Sequence, residues 1–464
     1  MPPSASPFSI ANIRLFIAFR VFFNARFYYP VFTILFLDYG LTIEQFALLN
    51  TVWAITIVCA EVPSGALADI LGRKYLLVTT SLLMVAEMSL LAFVPLGNST
   101  VIFTVFLVNR ILSGLAEALA SGADEAIAYD SLVAEGNPED WPKVLSVQMR
   151  LRSIASIVTM TIGALVYDPS MVNRLLAWLG SELSLTQQVT MRFPIYLTFV
   201  LSLLATGCAL SMREKPAPRA EGQESTSLAA FRKTLQAGAW LARSPFALAV
   251  ILFGTLYDHI LRMIVTMTSQ YFRLIDLPEA SFGLIGSAMA VLGLVTPKIA
   301  ERMVAKNSPI ANVWWVSGIT LLALIGLTGF YPYWGLLPMA LIFIAMMLIS
   351  FFTSHYLNAV TESHQRATVL SFKGLAFNLA YGTIGFLFAL LITRLRDAGK
   401  VSHPDWSGPA VEGFAFQEAI GWFPWYTAIG IALTVVFCLY RLRGSEDYQT
   451  IIANKLFNQH IENK

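Results

Sequence analysis

Long runs of apolar residues recur along the whole 464-residue chain, and they constrain its fold more than any other feature. Twelve such segments of about 20 residues or more can be drawn, each long enough to cross roughly 30 Å of hydrocarbon as a helix. Charged residues make up only 13% of the chain, too little to solvate the surface of a soluble protein of this length. The sequence therefore predicts an all-α integral membrane protein with twelve transmembrane helices.

The positions of the spans and the charges between them also predict an orientation. The spans lie near residues 14–37, 44–68, 75–95, 101–129, 144–168, 193–212, 246–274, 281–304, 310–331, 334–358, 368–394 and 419–441. Most Lys and Arg residues between spans fall in the loops on the same side as the two termini. The opposite side holds only Arg174, Arg192, Arg273, Arg394, Arg396 and Lys400. By the positive-inside rule, both termini face the cytoplasm.

Internal similarities indicate that one six-helix unit is used twice. The pair Phe193-Pro194 recurs as Phe423-Pro424, and Arg26 matches Arg262 at a nearly equal offset. The expected domains are a six-helix bundle over 1–212, a cytoplasmic linker over 213–244, a second bundle over 245–443 and a cytoplasmic tail over 444–464. Residues 228–241 of the linker are expected to form a short amphipathic helix on the membrane surface; the alternative is a flexible tether.

A short charged turn separates the second and third spans, where residues 65–77 read Gly-Ala-Leu-Ala-Asp-Ile-Leu-Gly-Arg-Lys-Tyr-Leu-Leu. This segment resembles the signature loop of the major facilitator superfamily of membrane transporters, although Ile70 replaces a commonly basic position. The matching positions are Gly65, Leu67, Asp69, Gly72, Arg73, Lys74 and Leu77. In the fourth span, Arg110 precedes Gly114 by four residues and resembles a second motif of that family.

The resemblance implies a transporter, and it assigns roles to both motifs. Two parallel six-helix halves place a substrate cavity between them near the bilayer midplane, opened to alternate sides by rocking. Arg110 is implied in proton coupling, and the signature loop in gating through contacts with neighbouring helix ends. The expected gating set is Gly65, Asp69, Gly72, Arg73, Lys74 and Asp130.

Charged side chains inside the spans are the other candidates for function, because each is costly at mid-bilayer unless it is paired or faces water. The predicted substrate and proton pathway comprises Arg20, Asn24, Arg26, Arg110, Glu117, Asp124, Asp258, Arg262, His355 and Lys373. Glu117 lies on the same helix face as Arg110 and is its expected partner. The alternative is that the two form a permanent structural salt bridge.

The sequence leaves the substrate class open between two interpretations. Arg26 and Arg262 occupy equivalent places, so a positively lined cavity would favour an organic anion. Carboxylates in the same spans would instead neutralise those cations in pairs; they are Glu61, Glu87, Glu117 and Asp258. The fifth span has Gly163 and no proline where drug antiporters of the family carry a Gly-Pro-rich signature, so multidrug export is not specifically indicated.

The leading hypothesis is a monomeric secondary transporter of a small organic solute, coupled to protons through Glu117, Asp124 or Asp258, with export as the expected direction. The alternatives are an importer of organic anions that uses Arg20, Arg26, Arg110 and Arg262, and a non-transporting receptor or scaffold. No enzymatic activity, cofactor, metal site or nucleic-acid partner is expected, because no nucleophile with a base, ligand cluster, phosphate loop or basic patch is present. The expected location is the bacterial inner membrane.

Overall fold

The computed structural model describes residues 6–121, 123–214, 236, 238–240, 243–361 and 366–443. The side-chain positions at 62, 65, 66, 68–70, 294 and 366–368 lie outside that description. All regular secondary structure in the described part is helical. Of the predicted amphipathic linker helix, only 236 and 238–240 are described, and the predicted tail, 444–464, lies outside the described residues.

The helices follow the predicted spans closely. They are α1 Ala11–Asn24, α2 Phe32–Asp38, α3 Ile43–Leu71, α4 Arg73–Phe93, α5 Ser99–Ala120, α6 Ala123–Glu135, α7 Trp141–Tyr167, α8 Pro169–Trp178, α9 Gln187–Thr190, α10 Phe193–Ser211, α11 Pro245–Thr266, α12 Thr268–Leu274, α13 Phe282–Lys306, α14 Pro309–Leu327, α15 Leu336–Val360, α16 Arg366–Ser402 and α17 Gly408–Leu442. Eleven helical stretches of the described chain are long and apolar enough to cross a membrane.

The predicted first span is not among those eleven stretches, because it is interrupted. It consists of α1 and α2, joined by an irregular segment that contains Arg26 and a turn of 3₁₀-helix at Tyr29–Val31. Pro30 lacks a backbone N–H, so it cannot donate the hydrogen bond that would continue α1 through this segment. The predicted seventh span has a milder interruption, at the single residue Met267 between α11 and α12. The two interruptions fall at similar places in the two proposed repeats.

The chain divides into two compact units. Unit 1 comprises Met1–Thr42, Val52–Phe231 and Pro278–Ser287. Unit 2 comprises Ile43–Thr51, Arg232–Leu277 and Ala288–Lys464. Each unit is therefore built mainly from one proposed six-helix repeat, together with a short helical end from the other. The domain boundaries expected from the sequence stay a prediction.

Close approach of small residues shapes the interior of unit 1. Its core holds apolar side chains of α1, α4, α6 and α10, among them Phe16, Leu77 and Ala205, which are fully buried. Gly163 of α7 lies directly against the backbone of Phe27, in the segment between α1 and α2, so that a Cβ atom there would overlap the Phe27 carbonyl. Small residues let membrane helices pack this closely where no hydrophobic force drives them together.

Substitution of Gly163 by Ala is expected to destabilise the protein. The added methyl group would meet backbone rather than a flexible side chain, and overpacking of this kind costs about 1–3 kcal/mol. The measurement is the thermal unfolding midpoint in detergent, which should fall for Gly163→Ala. Gly207→Ala is the matched control, because Gly207 also lies within a helix but an added Cβ atom there would meet nothing within 4 Å. Equal midpoints for both variants would contradict the close packing.

Candidate functional site

The signature loop of the sequence reduces to a single residue in the structure. The helix α3 ends at Leu71 and α4 begins at Arg73, so Gly72 alone makes the turn, with a φ of 93°. This conformation is accessible to glycine and strained for residues with a Cβ atom. The surroundings of Gly65 and the side chain of Asp69 lie outside the described part of the chain, and the predicted gating contacts of both residues remain predictions.

The carboxylate of Glu214 caps the amino-terminal end of α4. It accepts hydrogen bonds from the backbone N–H groups of Arg73 at 2.8 Å and of Lys74 at 3.0 Å. These are N–H groups that a helix cannot satisfy internally, and a negative charge is favoured at this end of the helix dipole. Sequence reasoning missed Glu214 because it lies 141 residues from Arg73, in the predicted linker. No local pattern connects the two.

Two further contacts hold the same region together. Arg73 forms an ion pair with Asp130 of α6, which is the partner expected from the charge placement. The Asn12 side chain donates to the Arg213 carbonyl at 2.5 Å and accepts from the Arg213 N–H at 2.9 Å, which joins α1 to the end of α10. The turn is therefore anchored within unit 1 on both sides. Its role in gating stays a prediction.

Arg26 and Glu87 form a buried ion pair inside unit 1. Arg26 Nη1 lies 2.5 Å from Glu87 Oε1, and the two side chains are 5% and 0% exposed. The guanidinium also lies over the Phe23 ring, 5.4 Å from its centroid. With this burial and this partner, Arg26 is placed as a structural cation rather than as part of an open positive lining.

Arg110 does not pair with Glu117, so this expected pairing is wrong. Arg110 is buried on α5, where its Nε and Nη2 atoms donate to the neighbouring Asn109 side chain at 3.1 and 3.0 Å. Its guanidinium lies against the rings of Phe32 and Phe36, 5.4 and 5.5 Å from their centroids. Both residues belong to α5, but Arg110 points into the protein interior while Glu117 is exposed. Among the described residues Arg110 has no carboxylate partner.

Arg20 forms ion pairs with the two carboxylates at the start of α6. Its Nη2 atom lies 3.1 Å from Asp124 Oδ1 and 2.6 Å from Glu125 Oε1. Asn24, one turn along α1, donates to the Arg20 carbonyl at 2.8 Å. The Asp124 side chain is only 3% exposed, against 50% for Glu125. Asp124 is therefore held as a buried partner of Arg20.

Glu117 differs from the other predicted proton carriers because no described cation lies within ion-pair distance of it. It is exposed on α5, at the middle of the candidate span Ser99–Glu135. An exposed carboxylate in the middle of a span is stable only where water rather than lipid surrounds it. We therefore expect the wall of unit 1 around Glu117 to be hydrated.

Glu61 of α3 is another carboxylate within a span of unit 1 that has no ion-pair partner in the described chain. It is half-buried, and its Oε2 atom is buried without a hydrogen bond. Glu61 was expected only as a neutraliser of nearby cations, and the described residues provide no cation for it to neutralise.

In unit 2, the predicted charges are gathered around α11. Arg262 Nη2 lies 2.5 Å from Asp258 Oδ2, and its Nη1 donates to the Asn378 side chain at 2.9 Å. The guanidinium also lies over the Tyr381 ring at 5.2 Å. Lys373 of α16 lies over the Phe377 ring, 5.7 Å from its centroid. Asp258 is therefore paired with Arg262, and Arg262 is neutralised by its own neighbour.

The two histidines inside spans have different surroundings. His355, the predicted pathway residue, is half-buried on α15 and stacks on Phe351 with ring centroids 6.2 Å apart. His259 is more buried, and both ring nitrogens have partners: the Thr255 carbonyl at 2.5 Å and the Tyr426 hydroxyl at 2.9 Å. These bonds fix His259 as a hydrogen-bonded core group, while the role of His355 in proton transfer stays a prediction.

A second ionic cluster of unit 2 was not predicted from the sequence. Arg396 pairs with Glu44 at the start of α3 and with Glu412 of α17, and its side chain is 10% exposed. Arg396 was expected in a loop, but α16 continues to Ser402 and α17 begins at Gly408, earlier than predicted. The Arg396 guanidinium is shared by the Glu44 and Glu412 carboxylates. Removal of the guanidinium would leave these two negative charges close together.

Comparisons with known proteins agree on the fold. The family model described as "Major Facilitator Superfamily" matches residues 14–395. The bacterial homologue of the human lysosomal transporter Spinster superposes with a TM-score of 0.67 at 12% identity, covering 95% of this chain and 98% of that one. The nucleoside transporter NupG superposes with a TM-score of 0.63 at 14% identity, covering 93% of this chain and 98% of that one. A D-xylose-proton symporter superposes with a TM-score of 0.62 at 11% identity, covering 92% of this chain and 96% of that one. No curated protein sequence matches.

The Arg26–Glu87 pair can be tested as a structural unit. Arg26→Met alone should lower the free energy of unfolding by about 3–5 kcal/mol, because it leaves Glu87 buried without a partner. The double variant Arg26→Met with Glu87→Leu should recover most of that loss. The measurement is the thermal unfolding midpoint of each purified variant.

The matched control is Arg152→Met, because Arg152 is exposed and forms no ion pair in the described chain. It should leave the midpoint nearly unchanged. If Arg26→Met were as stable as this control, Arg26 would be free to bind a ligand, and the structural assignment would be wrong.

Proposed function

Because the chain belongs to the major facilitator superfamily, we propose that it is a secondary active transporter that moves a small organic solute by alternating access, with Glu117 as the proton-carrying group. Membership of this family and the all-helical multi-pass fold make membrane transport the general activity. The identity of the proton carrier, the solute and the bacterial inner membrane as the location are proposals. We propose export as the direction, from the family resemblance.

The observation that carries the proposal is the contrast between Glu117 and the other predicted proton carriers. Asp124 is bound by Arg20, and Asp258 by Arg262. Each of these carboxylates already has a guanidinium as its partner, and breaking a buried ion pair is destabilising. Glu117 has no such partner among the described residues and is exposed. It is therefore the member of the set whose charge can change during a transport cycle.

The physical basis of coupling is the cost of enclosing a charge. While the wall of unit 1 is hydrated, an ionised Glu117 is solvated by water. When the transporter closes around this wall, the water is excluded, and an unpaired charge at mid-bilayer costs several kcal/mol. Closure is therefore favoured when Glu117 has accepted a proton or when a cationic group of the solute neutralises it. Either requirement links the state of Glu117 to the conformational change.

The alternative of an organic-anion importer is less well supported. It needs free cations, but Arg20, Arg26 and Arg262 are all ion-paired. Arg110 is the remaining cation of the proposed set, and it is buried against aromatic rings. A receptor or scaffold without transport activity would share the fold, and a transport assay separates it from the present proposal. We propose no enzymatic activity for the chain.

Glu117→Gln is expected to abolish solute-driven proton movement while leaving the protein folded. A ligand is first identified by thermal stabilisation against a library of organic anions, organic cations, amphiphiles and neutral sugars, since a bound ligand raises the unfolding midpoint. The purified protein is then placed in vesicles that contain a pH-sensitive dye. The solute should change the internal pH with the parent protein and not with Glu117→Gln.

Glu61→Gln is the matched control, because Glu61 is also a carboxylate within a span that lacks a described ion-pair partner, but it is half-buried where Glu117 is exposed. It should retain the pH signal. An unchanged signal in Glu117→Gln would remove Glu117 from the mechanism, and loss of the signal in Glu61→Gln alone would transfer the role to α3. Solute movement without any pH signal would overturn proton coupling but leave transport intact.

A further inference from the structure

An apolar cavity opens between four helices of unit 2, far along the chain from Glu117. Helices α11, α14, α15 and α17 enclose a volume of about 90 Å³. Its walls are predominantly aliphatic and aromatic, and include Phe246, Val250, Phe352, Val435 and Leu442. The transport proposal makes no use of this space.

Two of the polar groups in the wall already satisfy one another. The Asn312 side chain donates to the Tyr356 hydroxyl at 2.7 Å, and both residues line the cavity. The Asn312 amide is therefore already used within the wall, and the remaining lining offers little to a polar ligand. The cavity favours a hydrocarbon chain as its occupant.

Basic residues lie at the same ends of these helices. Arg243 precedes the lining residue Phe246 by three residues, and Arg443 directly follows the lining residue Leu442. Both basic side chains are exposed. The described residues of these helix ends, 243–250, 306–316, 349–361 and 435–443, include no acidic residue.

These helix ends face the side that the positive-inside rule assigns to the cytoplasm. Anionic phospholipids are concentrated in the leaflet on that side, and basic residues near its surface attract them. We propose that unit 2 binds an anionic phospholipid from this leaflet, with a segment of one acyl chain in the cavity and the phosphate group beside Arg243 and Arg443. The apolar cavity and the basic residues are then two parts of one lipid site.

The apolar cavity and the basic residues together select the kind of ligand. A zwitterionic lipid would fill the cavity equally well but would gain little from the cations. A soluble anion would use the cations but has no need of an apolar cavity next to them. The combination of basic helix ends and hydrocarbon walls is complementary to a lipid that carries a net negative headgroup.

Thermal unfolding in detergent tests the headgroup preference. The probes are phosphatidylglycerol and phosphatidylcholine with identical palmitoyl and oleoyl chains, and inorganic phosphate alone. Phosphatidylglycerol should raise the unfolding midpoint at a concentration where the other two do not. Equal stabilisation by both lipids, or stabilisation by inorganic phosphate alone, would overturn the proposal.

Two pairs of charge substitutions tie the effect to the site. Arg243→Gln with Arg443→Gln should raise the half-saturating phosphatidylglycerol concentration about thirtyfold, since each basic residue near a membrane surface contributes about fivefold. The charge control is Arg394→Gln with Lys400→Gln, two exposed residues near the opposite end of α16. It should leave the half-saturating phosphatidylglycerol concentration unchanged. Equal sensitivity of the two charge variants would contradict the site.

Val435→Phe should block the acyl chain, because Val435 lines the cavity, whereas Val436→Phe on the neighbouring exposed position should not. If phosphatidylglycerol stabilised Val435→Phe as strongly as Val436→Phe, the acyl chain would lie elsewhere and the proposal would be wrong. These outcomes are independent of Glu117, so failure of the transport proposal would leave this test interpretable.

Discussion

The inability of hydrocarbon to solvate charge governs how this chain is arranged. A protein with this many ionisable groups inside its spans can occupy a bilayer only if most of them find partners or face water. Arg26 meets Glu87 with both side chains buried, and Arg262 meets Asp258 one turn away on the same helix. The packing of the first span against its neighbours is therefore determined by ionic contacts as well as by the apolar core.

The same constraint separates structural charges from functional ones. Once Arg20 has bound Asp124 and Glu125, the charges available for change are few. Glu117 stands out because it is exposed at mid-span and lacks an ion-pair partner in the described chain. A group of this kind is stable only in a hydrated position. That dependence on water is what would make it sensitive to closure of the transporter.

The fold was predictable from the sequence because a transmembrane helix is a local feature, marked by some twenty consecutive apolar residues. The signature turn was also local, and Gly72 makes it as the motif predicts. The partners of charged residues could not be predicted, because the residues joined are far apart: Arg26 and Glu87 by 61 positions, Arg396 and Glu44 by 352. Glu117 was paired with Arg110 because both lie on one helix, and helix periodicity does not show that aromatic rings hold Arg110 instead.

The interruption of the first span affects how the chain can be made as well as how it works. As the first span leaves the ribosome, it carries Arg26 in an unwound segment, and its partner Glu87 follows 61 residues later. A helix with an unpaired arginine at such a depth is poorly retained by lipid alone. Pairing with Glu87 of α4 removes that cost, so the amino-terminal segment gains stability once α4 has been inserted. The first span is therefore stabilised in the membrane by its ion pair with α4 rather than by its own apolar residues alone.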